Sequence, residues 1–134
     1  MTELASDGTF ASDLCLDWNL PLKMNGRTVI LQASRKIPSI IKSVLDRNAV
    51  DPKEVPVYLM HQANQNLIDR VAETLGVASA RFFSNIRHYG NTSSASIPIA
   101  LDEVWRAGRI KRGDCVVLTA FGSGFTWASA VLRW

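Results

Sequence analysis

Three short stretches carry the groups that could do chemistry. In "MHQANQN" (60–66), His61 stands where an apolar run ends and a helical pattern is about to begin. In "HYGNTSSAS" (88–96), Asn91 stands in a second strand-to-helix connection. In "AFGSGFTW" (120–127), a glycine-rich turn follows a third apolar run, and its backbone N–H groups can approach a ligand closely. An imidazole, a carboxamide and backbone amides make a cup of neutral donors. Such a cup suits one task, holding negative charge on an oxygen, as in an enolate formed from a thioester. Each feature also has a plainer reading. A histidine after a strand can cap or pack, an Asn after Gly is a common turn residue, and "GSG" between apolar runs makes a hairpin. His88 is the competing histidine and reads as exposed in the polar run "RHYG". Spacing alone leaves these readings open.

The elements that must position these groups follow from hydrophobic periodicity. "RTVILQA" (27–33) is rich in strand-forming residues and reads as a strand after the "MNG" turn. "PSIIKSVLDR" (38–47) reads as a helix with Pro38 in its first turn and Ile40, Ile41, Val44 and Leu45 on one face. "DPKE" (51–54) reads as a capping box before the strand "VPVYLM" (55–60). A helix runs from Asn64 to Leu75, with Leu67, Ile68, Val71 and Leu75 inward and Gly76 as its stop. "RFFSNI" (81–86) reads as a short strand. Residues 96–107 read as a helix with Ile97, Leu101, Val104 and Trp105 inward and Gly108 as its stop. "CVVLTA" (115–120) and "TWASAVLRW" (126–134) read as strands, with Phe121, Phe125 and Trp127 in the core. Strands alternating with helices imply an α/β layered fold whose sheet is buried on both faces.

Composition excludes several classes. The chain has 134 residues, 47% of them hydrophobic, which suffices for one domain (1–134) with a real core. A net charge of +3 with no clustered Lys/Arg run gives no nucleic-acid footprint. Cys15 and Cys115 lie outside any CxxC spacing, and no His/Cys cluster points to a metal. Two unpaired thiols fit a reducing, cytoplasmic location, and the acidic start "MTELASDG" is not a signal peptide. Residues 115–132 are uncharged, but Gly122, Ser123 and Gly124 interrupt them. A hairpin of two buried strands explains that run better than a membrane span.

Taken in order, "SDG" (6–8), "LKMNGR" (22–27), "HQAN" (61–64), "YGNTSSASIPIALDE" (89–103), "GRIKRGD" (108–114) and "AFGSGFTWASAVLRW" (120–134) closely resemble the C-terminal half of β-ketoacyl-[acyl-carrier-protein] synthase III. That family is thiolase-like, and the resemblance covers nearly the whole chain. It implies an α/β, thiolase-like layered fold, a mixed sheet with packed helices. It also implies an acyltransferase of fatty acid biosynthesis that condenses acyl-CoA with malonyl-carrier protein by decarboxylative Claisen chemistry. In the family a cysteine thiolate takes the acyl group, and a His and an Asn stabilise the enolate. By resemblance these are His61 and Asn91. Ser123 supplies a backbone N–H to a separate oxyanion hole, Phe121 lies beside the nucleophile, and Gly26 and Asn64 lie near the pantetheine arm. No metal or other cofactor is implied; acyl-CoA and malonyl-carrier protein are substrates.

The departures are specific. The family's nucleophile belongs to its N-terminal half, and neither "SDLCLDW" nor "GDCVVL" resembles its context. That half, with the main CoA contacts, is expected to come from elsewhere, and the chain is expected to be inactive alone and to pair or oligomerise. Family members often carry basic residues where the acidic carrier docks. The corresponding positions here hold Leu31, Asn66, Glu73 and Thr74, which leaves Lys42 and Arg70 for that task. Two alternatives stand beside this reading: a catalytically incomplete half acting as a binding or assembly module, and a related polyketide or acyl-transfer condensing enzyme.

Overall fold

The computed structural model describes residues 1–134. The chain forms β1 (Thr2–Ser6), β2 (Leu14–Cys15), β3 (Lys23–Met24), α1 (Gly26–Arg47), β4 (Val57–Met60), α2 (Gln65–Leu75), β5 (Phe82–Phe83), α3 (Ile86–Tyr89), α4 (Ser96–Arg106), β6 (Cys115–Gly122) and β7 (Thr126–Arg133). The main sheet has the order β1-β7-β6-β4-β5. β4 pairs in parallel with both β5 and β6, while β7 pairs antiparallel with β6 and β1. β2 and β3 form a separate two-stranded ribbon.

β4 explains the layering. Its four side chains alternate between faces, and all are buried. Tyr58 and Met60 join Ile37, Ile41, Leu45, Ile68 and Val71 from α1 and α2. Val57 and Leu59 face the other way, onto Ala100 and Val104 of α4. The sheet is therefore mixed and covered by helices on both faces, as the α/β layered expectation required. No helix is long and apolar enough to cross a membrane.

The strand expected over 27–33 does not exist. Those residues open α1, a helix of 22 residues capped by the Asn25 side chain, which accepts from the Thr28 N–H at 3.3 Å. Ala33, Ile37, Ile41 and Leu45 form one buried stripe at four-residue spacing, and this period overrides local strand propensity. Pro38 stands well inside the helix rather than in its first turn. It removes one N–H from the helical ladder, and packing of the buried face carries the helix past it.

Smaller corrections have similar causes. Thr2–Ser6, read only as a polar start, pairs along β7 as an edge strand. "RFFSNI" gives two residues of strand, after which Asn85 opens the single turn α3. Trp105, expected inward, is 55% exposed, because the buried stripe of α4 runs through Ser96, Ala100 and Val104 and leaves Trp105 on its flank. Asp51 caps only a single 3-10 turn, accepting from the Lys53 N–H at 2.7 Å. The helix over α2 is as read: Asn64 caps it, and Gly76 ends it at φ 66°.

Candidate active site

β4, β5 and β6 are parallel, so their carboxyl ends lie along one edge of the sheet, where ligands collect in such folds. His61 follows β4 directly, and its N–H continues the ladder to the Thr119 carbonyl at 2.9 Å. Asn91 follows β5 through α3. The glycine turn follows β6. His61, Asn91, Phe121 and Ser123 all line one open cleft of about 800 Å³, whose remaining wall is mainly apolar.

The donors are oriented by local bonds. The Asn91 Oδ1 accepts from the Ser93 N–H at 2.9 Å, which leaves the carboxamide NH2 as the free end. Gly90 makes this turn at φ 66° and ψ −151°, a region open essentially to glycine alone. The His61 Nδ1 lies 2.7 Å from the Ser96 hydroxyl, and burial holds the imidazole below its ordinary pKa, in the neutral form. At the glycine turn, Gly124 has φ 132°, and a Cβ there would meet the Thr126 side chain at 2.9 Å. Phe125 is fully buried under this turn and packs against Phe121 and Phe10, with centroids at 4.8 and 5.5 Å. Phe121 and Trp127, read as core, are half-buried and belong to the cleft wall.

Gly26 and Asn64 lie outside the cleft lining. Gly26 begins α1 with nothing within 4 Å of a hypothetical Cβ. The Asn64 Oδ1 accepts from the Leu67 N–H at 3.3 Å as the cap of α2, which leaves its NH2 free. His88 is exposed, as read. Neither cysteine lines the cleft. Cys115 sits at the opposite, amino end of β6, where burial pushes its thiol up and away from thiolate character.

Residues 45–134 match the family profile described as 3-Oxoacyl-[acyl-carrier-protein (ACP)] synthase III C terminal. The chain belongs to the 3-oxoacyl-[acyl-carrier-protein] synthase III family. It is 45% identical over 113 residues to the β-ketoacyl-[acyl-carrier-protein] synthase III of Synechocystis, a match covering 84% of this chain and 34% of that protein. The synthase III of Desulfotalea psychrophila is 40% identical, over 99% of this chain and 45% of its own length. The crystal structure of 3-oxoacyl-[acyl-carrier-protein] synthase III from Aquifex aeolicus superposes with a TM-score of 0.96 at 39% identity, over 99% of this chain and 43% of that one. The chain thus spans between a third and a half of these three synthase III relatives, and its fold is the thiolase-like one of that family.

Sequence reasoning missed the residues that brace the site. Gln62 is wholly buried. Its Nε2 donates to the Met60 and Phe83 carbonyls at 2.8 and 3.2 Å, and its Oε1 accepts from the Asn85 N–H at 3.1 Å. Glu103 of α4 accepts from Asn85 Nδ2 and from the Tyr89 hydroxyl, each at 2.8 Å, and so holds both ends of α3. The only sequence signals were a polar residue beside His61 and a glutamate one helix length after Asn91.

Proposed function

We propose that these 134 residues form one domain, the C-terminal, decarboxylating half of a 3-oxoacyl-[acyl-carrier-protein] synthase III. The whole enzyme is an acyltransferase that condenses acyl-CoA with malonyl-carrier protein in fatty acid biosynthesis. An N-terminal half, in the same polypeptide or a separate one, brings the nucleophilic cysteine. The observation that carries this reading is the convergence of His61 and Asn91 on one cleft, with the Asn91 Oδ1 already bonded so that its NH2 remains to donate, and with His61 bonded through Nδ1 so that Nε2 is its free ring nitrogen.

The residues divide the work. The cysteine thiolate attacks the acyl-CoA carbonyl and expels CoA thiolate. The malonyl thioester then loses carbon dioxide, and the electron pair of the broken bond passes into an enolate. The His61 Nε2–H and the Asn91 NH2 hydrogen-bond that enolate oxygen. Neutral donors serve here because they stabilise the developing charge without losing a proton to it. The enolate carbon attacks the acyl-cysteine, and collapse of the tetrahedral adduct returns the thiolate. The backbone N–H of Ser123 holds the oxygen of that adduct, and Phe121 lies beside the sulfur. The pantetheine arm passes the amino ends of α1 and α2, where Gly26 leaves room and the Asn64 NH2 is free. This chemistry calls for no metal or redox cofactor. Lys42 and Arg70, both exposed, are the cations that meet an acidic carrier.

The test is reconstitution with a synthase III N-terminal half, acyl-CoA and malonyl-carrier protein, following carbon dioxide and product. Turnover is expected only in the mixture. His61→Ala and Asn91→Ala should each lower decarboxylation by roughly 10²–10³-fold, the effect of removing one oxyanion donor. Acyl transfer to the cysteine should survive. Equal loss of both half-reactions would overturn the roles given to His61 and Asn91. A stable complex without turnover would move the assignment to an assembly module.

A further inference from the structure

The Ser96 hydroxyl has one hydrogen to give and two lone pairs to receive with. Ser96 opens α4 and is 2% exposed, so water does not complete its bonding. Two groups meet its Oγ: the backbone N–H of Gln62 at 3.3 Å and the Nδ1 of His61 at 2.7 Å. The Gln62 amide can only donate, so it takes a lone pair. No carbonyl oxygen accepts from this hydroxyl, and no buried side-chain polar atom of the chain lacks a partner. The hydroxyl hydrogen therefore has one acceptor, the Nδ1 of His61. An Nδ1 that accepts carries no proton, and a neutral imidazole then bears its hydrogen on Nε2.

We propose that Ser96 is a positioning residue that fixes His61 as the Nε2–H tautomer and holds its ring plane, through a relay running from the Gln62 N–H through the Ser96 hydroxyl to Nδ1. The relay is rigid at both ends. Gln62 is immobilised by its own bonds to two carbonyls and the Asn85 amide, and Ser96 is fixed by α4, whose Ala100 and Val104 pack on β4. Without the hydroxyl, Nδ1 would face a buried gap, and the imidazole would be free to exchange tautomers and to turn. The catalytic consequence rests on the assignment of His61 as an enolate donor; the tautomer itself does not.

The chain contains two histidines, so long-range 15N–1H correlation spectra resolve His61 from the exposed His88, which serves as an internal reference. The expected result is a neutral His61 protonated on Nε2 in the unaltered chain. Ser96→Ala should give averaged ring-nitrogen shifts that report mixed tautomers, and Ser96→Thr, which keeps the hydroxyl, should restore the single form. In the reconstituted enzyme Ser96→Ala should lower kcat for decarboxylation by roughly 10- to 100-fold, as when a partner orienting a metal-bound histidine is removed, with KM nearly unchanged. A His61 protonated on Nδ1 in the unaltered chain would overturn the proposal even if no variant folds. So would a tautomer that Ser96→Ala leaves unmoved. A tautomer that depends on Ser96, together with decarboxylation indifferent to His61→Ala, would uphold the relay and remove His61 from the reaction.

Discussion

In the role proposed for His61, a neutral imidazole donates from Nε2 while Nδ1 accepts from Ser96; a protonated ring would carry hydrogens on both nitrogens and lose that acceptor. A protonated imidazole would also bind the malonyl carboxylate in the ground state, which offsets part of what it gains at the enolate. Burial holds its pKa below the ordinary imidazole range, so the neutral form persists into mildly acidic solution. The sign of the pH dependence follows. Decarboxylation by the reconstituted enzyme should stay level as pH falls through the usual histidine region and decline only below it. The rate of carbon dioxide release from malonyl-carrier protein, measured under saturation, checks this. A fall centred at or above the ordinary histidine pKa would contradict a neutral donor. That His61 and Asn91 stand in connections at the carboxyl edge of the sheet was legible in the sequence; the roles proposed for them came from the resemblance, since spacing alone left plainer readings open. The role of Ser96 was not. It is one of three serines in "NTSSAS", and only the packing of α4 against β4 decides which of them reaches the imidazole.

At the scale of elements, α4 is the beam on which the His61 ring and the Asn91 turn both rest. Its first residue bonds His61, and two turns later Glu103 grips α3, from which the Asn91 turn departs. Glu103→Ala should therefore act at a distance. It leaves the Asn85 amide, 4% exposed, without its acceptor, at a cost of about 1–3 kcal/mol for an unsatisfied buried group. Urea unfolding should show a lower midpoint with an unchanged slope, and the reconstituted variant should lose decarboxylation more than acyl transfer. A variant with unaltered stability and turnover would show that Asn91 is held by its turn alone. The elements themselves were unevenly legible. β4, β6 and β7 announced themselves as apolar runs bounded by turn residues, and α2 by its cap, stripe and closing glycine. The first half of α1 did not. "RTVILQA" has strand-like residues throughout, and its helical stripe becomes visible only when Ala33 is read together with Ile37 and Ile41 across Pro38.

At the scale of the whole molecule, the distribution of apolar surface is uneven. Leu4 is 77% exposed, Leu16 68%, Trp18 91% and Met24 62%, and Leu20 and Leu22 lie in the same stretch. Leu4, Leu22 and Met24 also form part of the cleft wall, so the open face and the candidate cleft are continuous. Monomeric proteins seldom leave an apolar patch of that kind bare. β1, moreover, ends the sheet with a free edge. In the proposed enzyme the N-terminal half covers this face and brings its cysteine to the cleft in the same step. Sedimentation velocity on the isolated chain should then show species heavier than its 14.8 kDa. Addition of the N-terminal half should collapse them to a defined complex, and Trp18→Ser should weaken self-association in the isolated chain. A monodisperse 14.8 kDa monomer that melts cooperatively would mean that the exposed leucines and Trp18 need no cover, and the half-enzyme reading would lose its physical support.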